Sequence, residues 1–329
     1  MGRGLAARDP PLTPSRAETR LAGVVAASAD MKEILGLVGR LAEARSPVLL
    51  EGESGTGKDL VAHLLHYQGP RRDDPFIKVH CPSVPEELLE SELFGHEKGA
   101  FTDARQQKAG KIEMAQRGTL YFDQVQDLSL TLQAKLLRVV EEKRFERVGG
   151  TRTLEVDVRF LASANVDLQE AVGAGRFRED LFHRLNVVPL KLPPLRSRRE
   201  DILPLADLFL ERERERRTTR AASFEPATAE ALRGYHWPGN VRELRSVVER
   251  AALLSPSEAI GAAVLPAPVL EAPATLWAGR DRRPTLKDVE QTYIRYVLDQ
   301  VGGSQVRAAG ILGISRKALW EKRRRYGIP

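Results

Sequence analysis

Cysteine is almost missing from this chain of 329 residues, where Cys81 stands alone. One thiol excludes an internal disulfide framework and fits a reducing cytoplasm. Long hydrophobic runs are missing too, and no apolar stretch approaches the length that spans a bilayer. The first twenty residues mix Arg, Asp and Pro without an apolar segment, so no signal peptide is visible. No internal repeat recurs. The remaining composition, 42% hydrophobic and 29% charged, is that of an ordinary soluble globular chain with room for two or three domains. Acidic residues are scarce at one end. Residues 280–329 hold 12 Lys/Arg against 5 Asp/Glu, which leaves a net −1 for the rest of a chain whose total is +6. A basic tail on a near-neutral body points to nucleic acid, with a solvated charged helix as the plainer alternative.

Glycine is concentrated where it counts. The run Gly52-Glu53-Ser54-Gly55-Thr56-Gly57-Lys58-Asp59 follows the apolar Val48-Leu49-Leu50 and precedes Leu60-Val61-Ala62-His63-Leu64-Leu65-His66, which has helical spacing. A strand, a glycine-rich loop, a lysine and a helix form the context of a phosphate-binding loop. The glycines let backbone N–H groups close around phosphate oxygens, and the helix N-terminus adds a favourable partial charge. Lys58 is placed to reach the β- and γ-phosphates. The pattern asks for Ser or Thr after the lysine, and Asp59 stands there instead. The chain is expected to bind a nucleoside triphosphate.

Around this loop the patterning alternates. Residues 1–20 are rich in Pro, Arg and Ala and are expected to be disordered. Over residues 21–196, strands are predicted at 48–50, 76–80, 120–122, 158–162 and 187–190, with helices at 31–44, 59–67, 85–93 and 130–142. That alternation implies an α/β domain with a mostly parallel sheet covered on both faces. Residues 197–254 read as three helices, 201–217, 226–234 and 240–254, forming an all-α subdomain. The run Glu211-Arg212-Glu213-Arg214-Glu215-Arg216-Arg217 is most simply an exposed face of paired charges. Residues 255–284, rich in Ala and Pro, read as a linker. Residues 285–329 form a third, helical unit.

Leu120-Tyr121-Phe122-Asp123-Gln124 is an apolar strand ending in an acid. In a phosphate-loop protein such an Asp sits beside the nucleotide and holds Mg2+, often through water. Two more long motifs stand in order. They are Glu92-Leu93-Phe94-Gly95-His96-Glu97-Lys98-Gly99-Ala100-Phe101-Thr102-Asp103-Ala104 and Trp237-Pro238-Gly239-Asn240-Val241-Arg242-Glu243-Leu244. Together with the Gly52–Asp59 loop they resemble the bacterial enhancer-binding proteins, AAA+ ATPases that activate sigma-54 RNA polymerase. The likeness runs from about Val24 to Leu254, and the tail resembles the Fis-type helix-turn-helix of such proteins. The resemblance implies an AAA+ parallel-sheet ATPase domain with an α-helical lid, followed by a small all-α helix-turn-helix domain. Lys58 and the loop amides then hold the phosphates of ATP, and Asp123 positions Mg2+. Asn165 falls at the sensor of the γ-phosphate and Arg242 at the second sensor, on the lid. Arg178 and Arg184 match the pair that acts across the subunit interface, neutralising the transferring phosphoryl group. Arginines supplied in trans require a ring, typically a hexamer. Glu is usual where Asp59 stands, so the missing Ser/Thr is a family trait.

The departures cluster around the γ-phosphate. The family has Glu where Gln124 stands, to polarise the attacking water. A neutral amide orients a water but cannot accept its proton at pH 7. His80 replaces an Asn at the end of the neighbouring strand, and Ala164 replaces the Thr before the sensor Asn. Two readings stay open: ATP is bound but poorly hydrolysed and sets assembly, or His80 has taken over as base. In the surface loop that touches sigma-54 in the family, Asp103 replaces the second Gly of Gly99-Ala100-Phe101-Thr102-Asp103-Ala104, while the tip residues Phe101 and Thr102 are kept. Asp tolerates turn geometry, so the loop is expected to form.

In the tail, Gly303–Leu312 reads as a short helix, Gly313-Ile314 as a turn, and Ser315 as the cap of a second helix, Arg316–Tyr326. Ser315, Arg316 and Lys317 at its start, with Lys322 and Arg323 further along, are the expected DNA contacts, and a basic protein-binding module is the alternative. The preceding helix, Leu286–Val301, resembles the dimerising helix of Fis-type domains, so paired half-sites are expected. The whole reads as a cytoplasmic sigma-54-dependent regulator. It binds upstream DNA, partners itself in a ring, and uses ATP to remodel closed RNA polymerase holoenzyme, with no membrane involved. The rivals are a hydrolysis-impaired DNA-binding regulator that uses ATP as an assembly switch, and an unrelated AAA+ remodeller. No receiver or sensory segment precedes the ATPase module, so control is expected from a partner, from expression level, or from a region outside this chain.

Overall fold

A computed structural model of the protein describes residues 24–83, 85–101, 104–216, 218–270, 285–300 and 304–328. The expected disordered stretch 1–20 lies outside them, as do Thr102, Asp103 and 271–284 of the expected linker. The chain divides after Pro266 into two units. In the first, the elements run α1 (Ala29–Ala42), β1 (Val48–Glu51), α2 (Lys58–Tyr67), β2 (Phe76–His80), α3 (Glu86–Phe94), α4 (Lys111–Met114) and β3 (Thr119–Asp123). Next come α5 (Leu130–Glu142), β4 (Arg144–Glu146), β5 (Thr153–Glu155), β6 (Arg159–Ala164), α6 (Leu168–Gly173), α7 (Glu179–Leu185) and β7 (Val188–Lys191). They are followed by α8 (Ile202–Glu215), β8 (Ser223–Phe224), α9 (Pro226–Gly234), α10 (Asn240–Leu254) and β9 (Ala259–Ile260).

Five short strands form one parallel sheet in the order β2-β3-β6-β1-β7, and the three inner ones are almost wholly buried, as strands covered on both faces must be. Side chains alternate between two cores. Leu50, Tyr121 and Leu161 face α1 and α2 with Ile34, Val38, Val61 and Leu65. Leu49, Phe122, Phe160 and Ala162 face α3, α5 and α7 with Leu93, Leu132, Leu136 and Leu181. Pro189, which cannot donate to a ladder, sits on the edge strand β7. Ser129 caps α5, its Oγ accepting from Leu132 N, and Lys143 ends that helix in the left-handed conformation. The expected parallel sheet is present, with strand ends shifted by a residue or two. Not foreseen was the antiparallel pair β4–β5, whose three-residue strands bury only Phe145 well and give too little alternation to read.

The strands do not stop after β7, as the sequence suggested, and the expected linker begins late. Ala259–Ile260 pairs in parallel with Ser223–Phe224, and Thr228 Oγ1 donates to Ile260 O at 2.7 Å. Ile260 and Leu265 are buried, so their apolar area holds this stretch in the helical subdomain. The same subdomain buries Trp237 completely, with its Nε1 donating to Leu232 O at 2.9 Å. The lone Cys81 is also buried, which pushes its thiol up to about 12 and makes it inert.

In the second unit, α11 (Ala267–Leu270) is followed by α12 (Leu286–Gln300), α13 (Gln305–Leu312) and α14 (Arg316–Tyr326). Ile294, Val297, Leu298, Ala308, Ala309 and Leu319 make the core of the last three. Gly313 closes α13 in the left-handed conformation. Ser315 caps α14, its Oγ accepting from Ala318 N at 3.1 Å.

One buried node joins the start of the first unit to its helical part. Asp201 is wholly buried and accepts from Ala27 N at 2.6 Å, Ser28 N at 2.8 Å and Ser28 Oγ at 2.8 Å. Arg198, 3.8 Å from Asp201, donates to Thr56 O at 2.6 Å. Removing the carboxylate orphans three donors and leaves a buried guanidinium uncompensated. Asp201→Ala is therefore expected to cost about 3–5 kcal/mol, read as a lowered urea midpoint of the first unfolding transition.

Candidate nucleotide site

The Gly52–Asp59 loop connects β1 to α2, and every carbonyl from Gly52 to Thr56 is taken by a protein donor. Lys58 Nζ donates to Gly52 O at 2.5 Å and to Glu53 O at 2.9 Å. Asn240 Nδ2 donates to Ser54 O at 3.0 Å, Val241 N to Gly55 O at 3.0 Å, and Arg198 to Thr56 O. The loop glycines permit this. Gly55 has φ +79° and lies so close to the lid that a Cβ there would stand 2.3 Å from Gly239 O. Gly57, at φ +110°, turns the chain into α2. Lys58 is only 7% exposed, and burial lowers its pKa against the pull of Asp123 and Asp59.

Asn240, wholly buried at the start of α10 with φ +52°, fastens the lid to the loop. Its Oδ1 accepts from Leu195 N at 2.8 Å, and its Nδ2 also donates to Glu53 at 3.2 Å. Arg196 forks onto Glu53 at 2.7 and 2.5 Å, and that pair, aided by Asn240, holds the Glu53 carboxyl at about 2. Arg242, two residues after Asn240, donates to Ser54 Oγ at 2.9 Å.

A cavity of about 740 Å³ opens over the loop. Its walls combine apolar Val24, Met31, Leu205 and Phe209 with the loop, Lys78, His80, Asp123, Gln124, Asn165 and four arginines, Arg198, Arg212, Arg242 and Arg245. Such a lining suits a flat base and a polyphosphate. Asp123 ends β3 beside His80 at the end of β2, in register. Its Oδ1 accepts from Ser163 Oγ at 2.9 Å; its Oδ2 lies 3.1 Å from His80 Nδ1 and 2.9 Å from Lys78 Nζ. Burial raises the Asp123 pKa, but Lys78 and Ser163 outweigh it and the carboxylate ends below its usual range. Gln124 adopts the left-handed conformation, φ +63°, with its N–H on Ser163 Oγ at 3.1 Å. Its Oε1 accepts from Asn165 Nδ2 at 3.2 Å, and Asn165 Oδ1 accepts from Gln126 at 2.8 Å. Ala164 is buried and offers no polar atom to this row.

Lys58, Asp59, His80, Asp123, Gln124, Asn165 and Arg242 are thus brought to one cavity. Arg178 and Arg184 are not. Arg178 pairs with Asp180 at 2.7 Å and Arg184 lies 3.9 Å from Glu141, both away from the cavity walls of their own chain. Sequence reasoning missed Lys78, Ser163, Asn240, Arg196 and Arg198. Two left a signal: Lys78 precedes His80 by two residues in a strand and so shares its face, and Asn240 stands in the Trp237–Leu244 motif.

Two carboxylates, Asp59 and Asp123, share the Lys78 ammonium beside the loop, with Nζ to Asp59 Oδ2 at 2.7 Å. Among the described residues no three His, Cys, Asp or Glu converge as a closed metal cage. That donor set fits Mg2+, which binds through one or two carboxylates and takes its other ligands from phosphate and water.

In the surface loop, Gly99 N donates to Ala104 O at 2.8 Å and Ala104 N to Phe101 O at 2.9 Å. Gly99, at φ +83°, makes the bend, and Gly149 leaves room for Ala100. Phe101 is 42% exposed, its ring edge-on to His96 at 4.9 Å. Thr102 and Asp103 lie outside the described residues. In the helical tail, Ser315, Arg316 and Lys317 are exposed at the start of α14. Lys322 is engaged otherwise: its Nζ donates to Glu290 on α12 at 2.5 Å, and Tyr326 donates to the same carboxylate. Arg323 is half-buried.

Comparison with known proteins matches three family models in succession. They are the Sigma-54 interaction domain over residues 24–191, the AAA+ ATPase lid domain over 196–278, and the Fis-family bacterial regulatory protein model over 285–326. The regulatory protein AtoC of Escherichia coli strain K12 is 46% identical over 308 residues, covering 92% of this chain and 67% of AtoC. The transcriptional regulatory protein ZraR of Klebsiella oxytoca is 45% identical over 305 residues, covering 91% of this chain and 68% of ZraR. The crystal structure of NtrX from Brucella abortus in complex with ADP is similar at TM-score 0.70 and 35% identity, over 93% of this chain and 69% of NtrX. The same protein in complex with ATP gives TM-score 0.69 at 36% identity, with the same coverage.

Gly55→Ala places a methyl group against Gly239 O and forces a left-handed alanine, so loop and lid must part. Its affinity for a fluorescent ATP analogue is expected to fall at least tenfold, with the circular dichroism spectrum kept.

Proposed function

Because the chain belongs to the family of sigma-54-dependent transcriptional activators, AAA+ proteins with a Fis-type helix-turn-helix, we propose that it hydrolyses ATP at the interfaces of a ring, with His80 receiving the proton of the attacking water. The contact of 3.1 Å between His80 Nδ1 and Asp123 Oδ2 carries this reading. A carboxylate oxygen needs a donor, so Nδ1 bears the hydrogen and the lone pair of a neutral ring falls on Nε2. His80 therefore stands as an oriented acceptor in the cavity that also holds Gln124, whose amide accepts no proton.

The steps follow from this chain's own groups. The loop amides, Lys58 and Arg242 hold the polyphosphate, a stronger acceptor than the carbonyls Lys58 now binds. Gln124 and Asn165 orient a water in line with the γ-phosphorus. The water oxygen attacks, its proton passes to His80 Nε2, and the bond to the ADP oxygen breaks. Asp123 stabilises the imidazolium that results. Asp123 and Asp59 are the residues that would hold Mg2+, which would supply charge neutralisation on the phosphate oxygens when bound. Arg178 and Arg184 act on the neighbouring subunit's nucleotide, which accounts for their distance from their own cavity. The ring, of six subunits in the simplest case, turns the Gly99–Ala104 loop towards sigma-54, and Ser315, Arg316 and Lys317 enter the DNA major groove. DNA and polymerase place this work in the cytoplasm.

One observation favours a second reading, in which ATP is only an assembly switch: the Gln124 amide is already committed to Asn165. Phosphate release measured over a range of protein concentrations separates the two. Turnover is expected to rise with concentration, vanish in Lys58→Ala, and fall about 100-fold in His80→Ala. Tight ATP binding without turnover, rescued by Gln124→Glu, would give the second reading instead.

The tail has its own test. Arg316→Ala with Lys317→Ala is expected to reduce the salt slope of DNA binding by about 0.9 for each phosphate that is no longer neutralised. Lys322→Ala is expected to leave the slope unchanged and lower the thermal midpoint, since its charge is paired with Glu290.

A further inference from the structure

Lys78 is a charged side chain of the cavity that has no part in the steps above. Lys58 is committed to loop carbonyls and Arg242 to Ser54, but Lys78 turns to the two carboxylates. Its Nζ donates to Asp59 Oδ2 at 2.7 Å and stands 2.9 Å from Asp123 Oδ2. Both acids are anchored on their other oxygens. Tyr121 OH donates to Asp59 Oδ1 at 3.0 Å, and Ser163 Oγ donates to Asp123 Oδ1 at 2.9 Å. One acid comes from the phosphate loop and the other from the end of β3, so a single ammonium ties the loop to the central sheet. Without it, two adjacent carboxylates face each other and an incoming polyphosphate.

We propose that Lys78 is the site's own counter-ion, a positioning residue that holds Asp59 and Asp123 together ahead of the metal and lets the chain take up ATP without Mg2+. The proposal rests on the nucleotide-site reading. An ammonium is a compact charge on a flexible four-carbon stem, so it can release a carboxylate to a divalent ion and move its charge towards phosphate. Arginine, planar and forked, keeps the charge but not the freedom. A neutral side chain removes the one ammonium held between the two carboxylates and leaves excess negative charge beside the phosphates, which a bound metal then offsets. Nucleotide binding in such a variant becomes conditional on Mg2+.

The test is a titration of the purified full chain with a fluorescent ATP analogue, once in EDTA and once in excess Mg2+. The natural chain is expected to differ by no more than about threefold between the two conditions. Lys78→Met is expected to lose at least tenfold in EDTA and to recover in Mg2+, while Lys78→Arg stays near the natural ratio in EDTA. Lys78→Gln, which retains a donor for Asp59, carries the same expectation as Lys78→Met and serves if the methionine variant does not fold. Equal EDTA-to-Mg2+ ratios in the natural chain and the neutral variants overturn the proposal, and so does natural-chain binding that disappears in EDTA. Binding that survives Lys58→Ala unchanged in both conditions sinks the nucleotide-site reading instead, whatever Lys78 does.

Discussion

A phosphate loop must keep its amides for the ligand, and so its carbonyls have to be satisfied by something other than regular secondary structure. In this protein the surrounding domain is arranged around that need. Lys58 takes the first two carbonyls from within the loop, and Arg198 takes the last from the segment that leads into α8. The start of α10 takes those between. The lid is therefore part of the loop's hydrogen bonding, and a lid movement acts directly on the loop. Asp201 extends the same constraint to Ala27 and Ser28, which lead into the first helix.

At the other side of the cavity, charge is balanced with little to spare. Asp123 accepts from a serine, a lysine and a histidine. Each has a separate consequence: Ser163 fixes the carboxylate plane, Lys78 offsets its charge, and His80 gains a defined tautomer. In the proposed hydrolysis, Gln124 thus comes with a neighbour able to receive a proton, and Asn165 orients its amide. His80, Asp123, Gln124 and Asn165 form one polar row, with the apolar Ala164 behind it.

Legibility followed the physics of each element. Strands such as Thr119–Asp123 announce themselves because burial on both faces demands an unbroken apolar run. The β4–β5 pair did not, because strands of three residues with one buried phenylalanine carry no readable period. Residues 259–265 passed for linker because the wider stretch 255–284 is rich in Ala and Pro, while the burial of Ile260 and Leu265 depends on partners such as Phe224, distant in sequence. Lys322 stands in the same basic run as Arg316 and Lys317, and its pairing with Glu290 on another helix left no mark in the spacing.

By itself, the sequence determined the class of protein and the chemistry at hand: a glycine loop, a lysine, an acid ending a strand, and a capped basic helix, each a local pattern set by backbone conformation and short-range spacing. Tertiary structure alone decided which groups meet. His80, Asp123, Asn165 and Arg242 lie on four separate elements, and nothing in their spacing states that they share one cavity. Asn240 and Arg198 become parts of the site only because the lid folds back on the loop. Hydrogen bonds and ion pairs act over about 3 Å, whatever the separation along the chain, so their partners are chosen by the packing of the sheet and its helices.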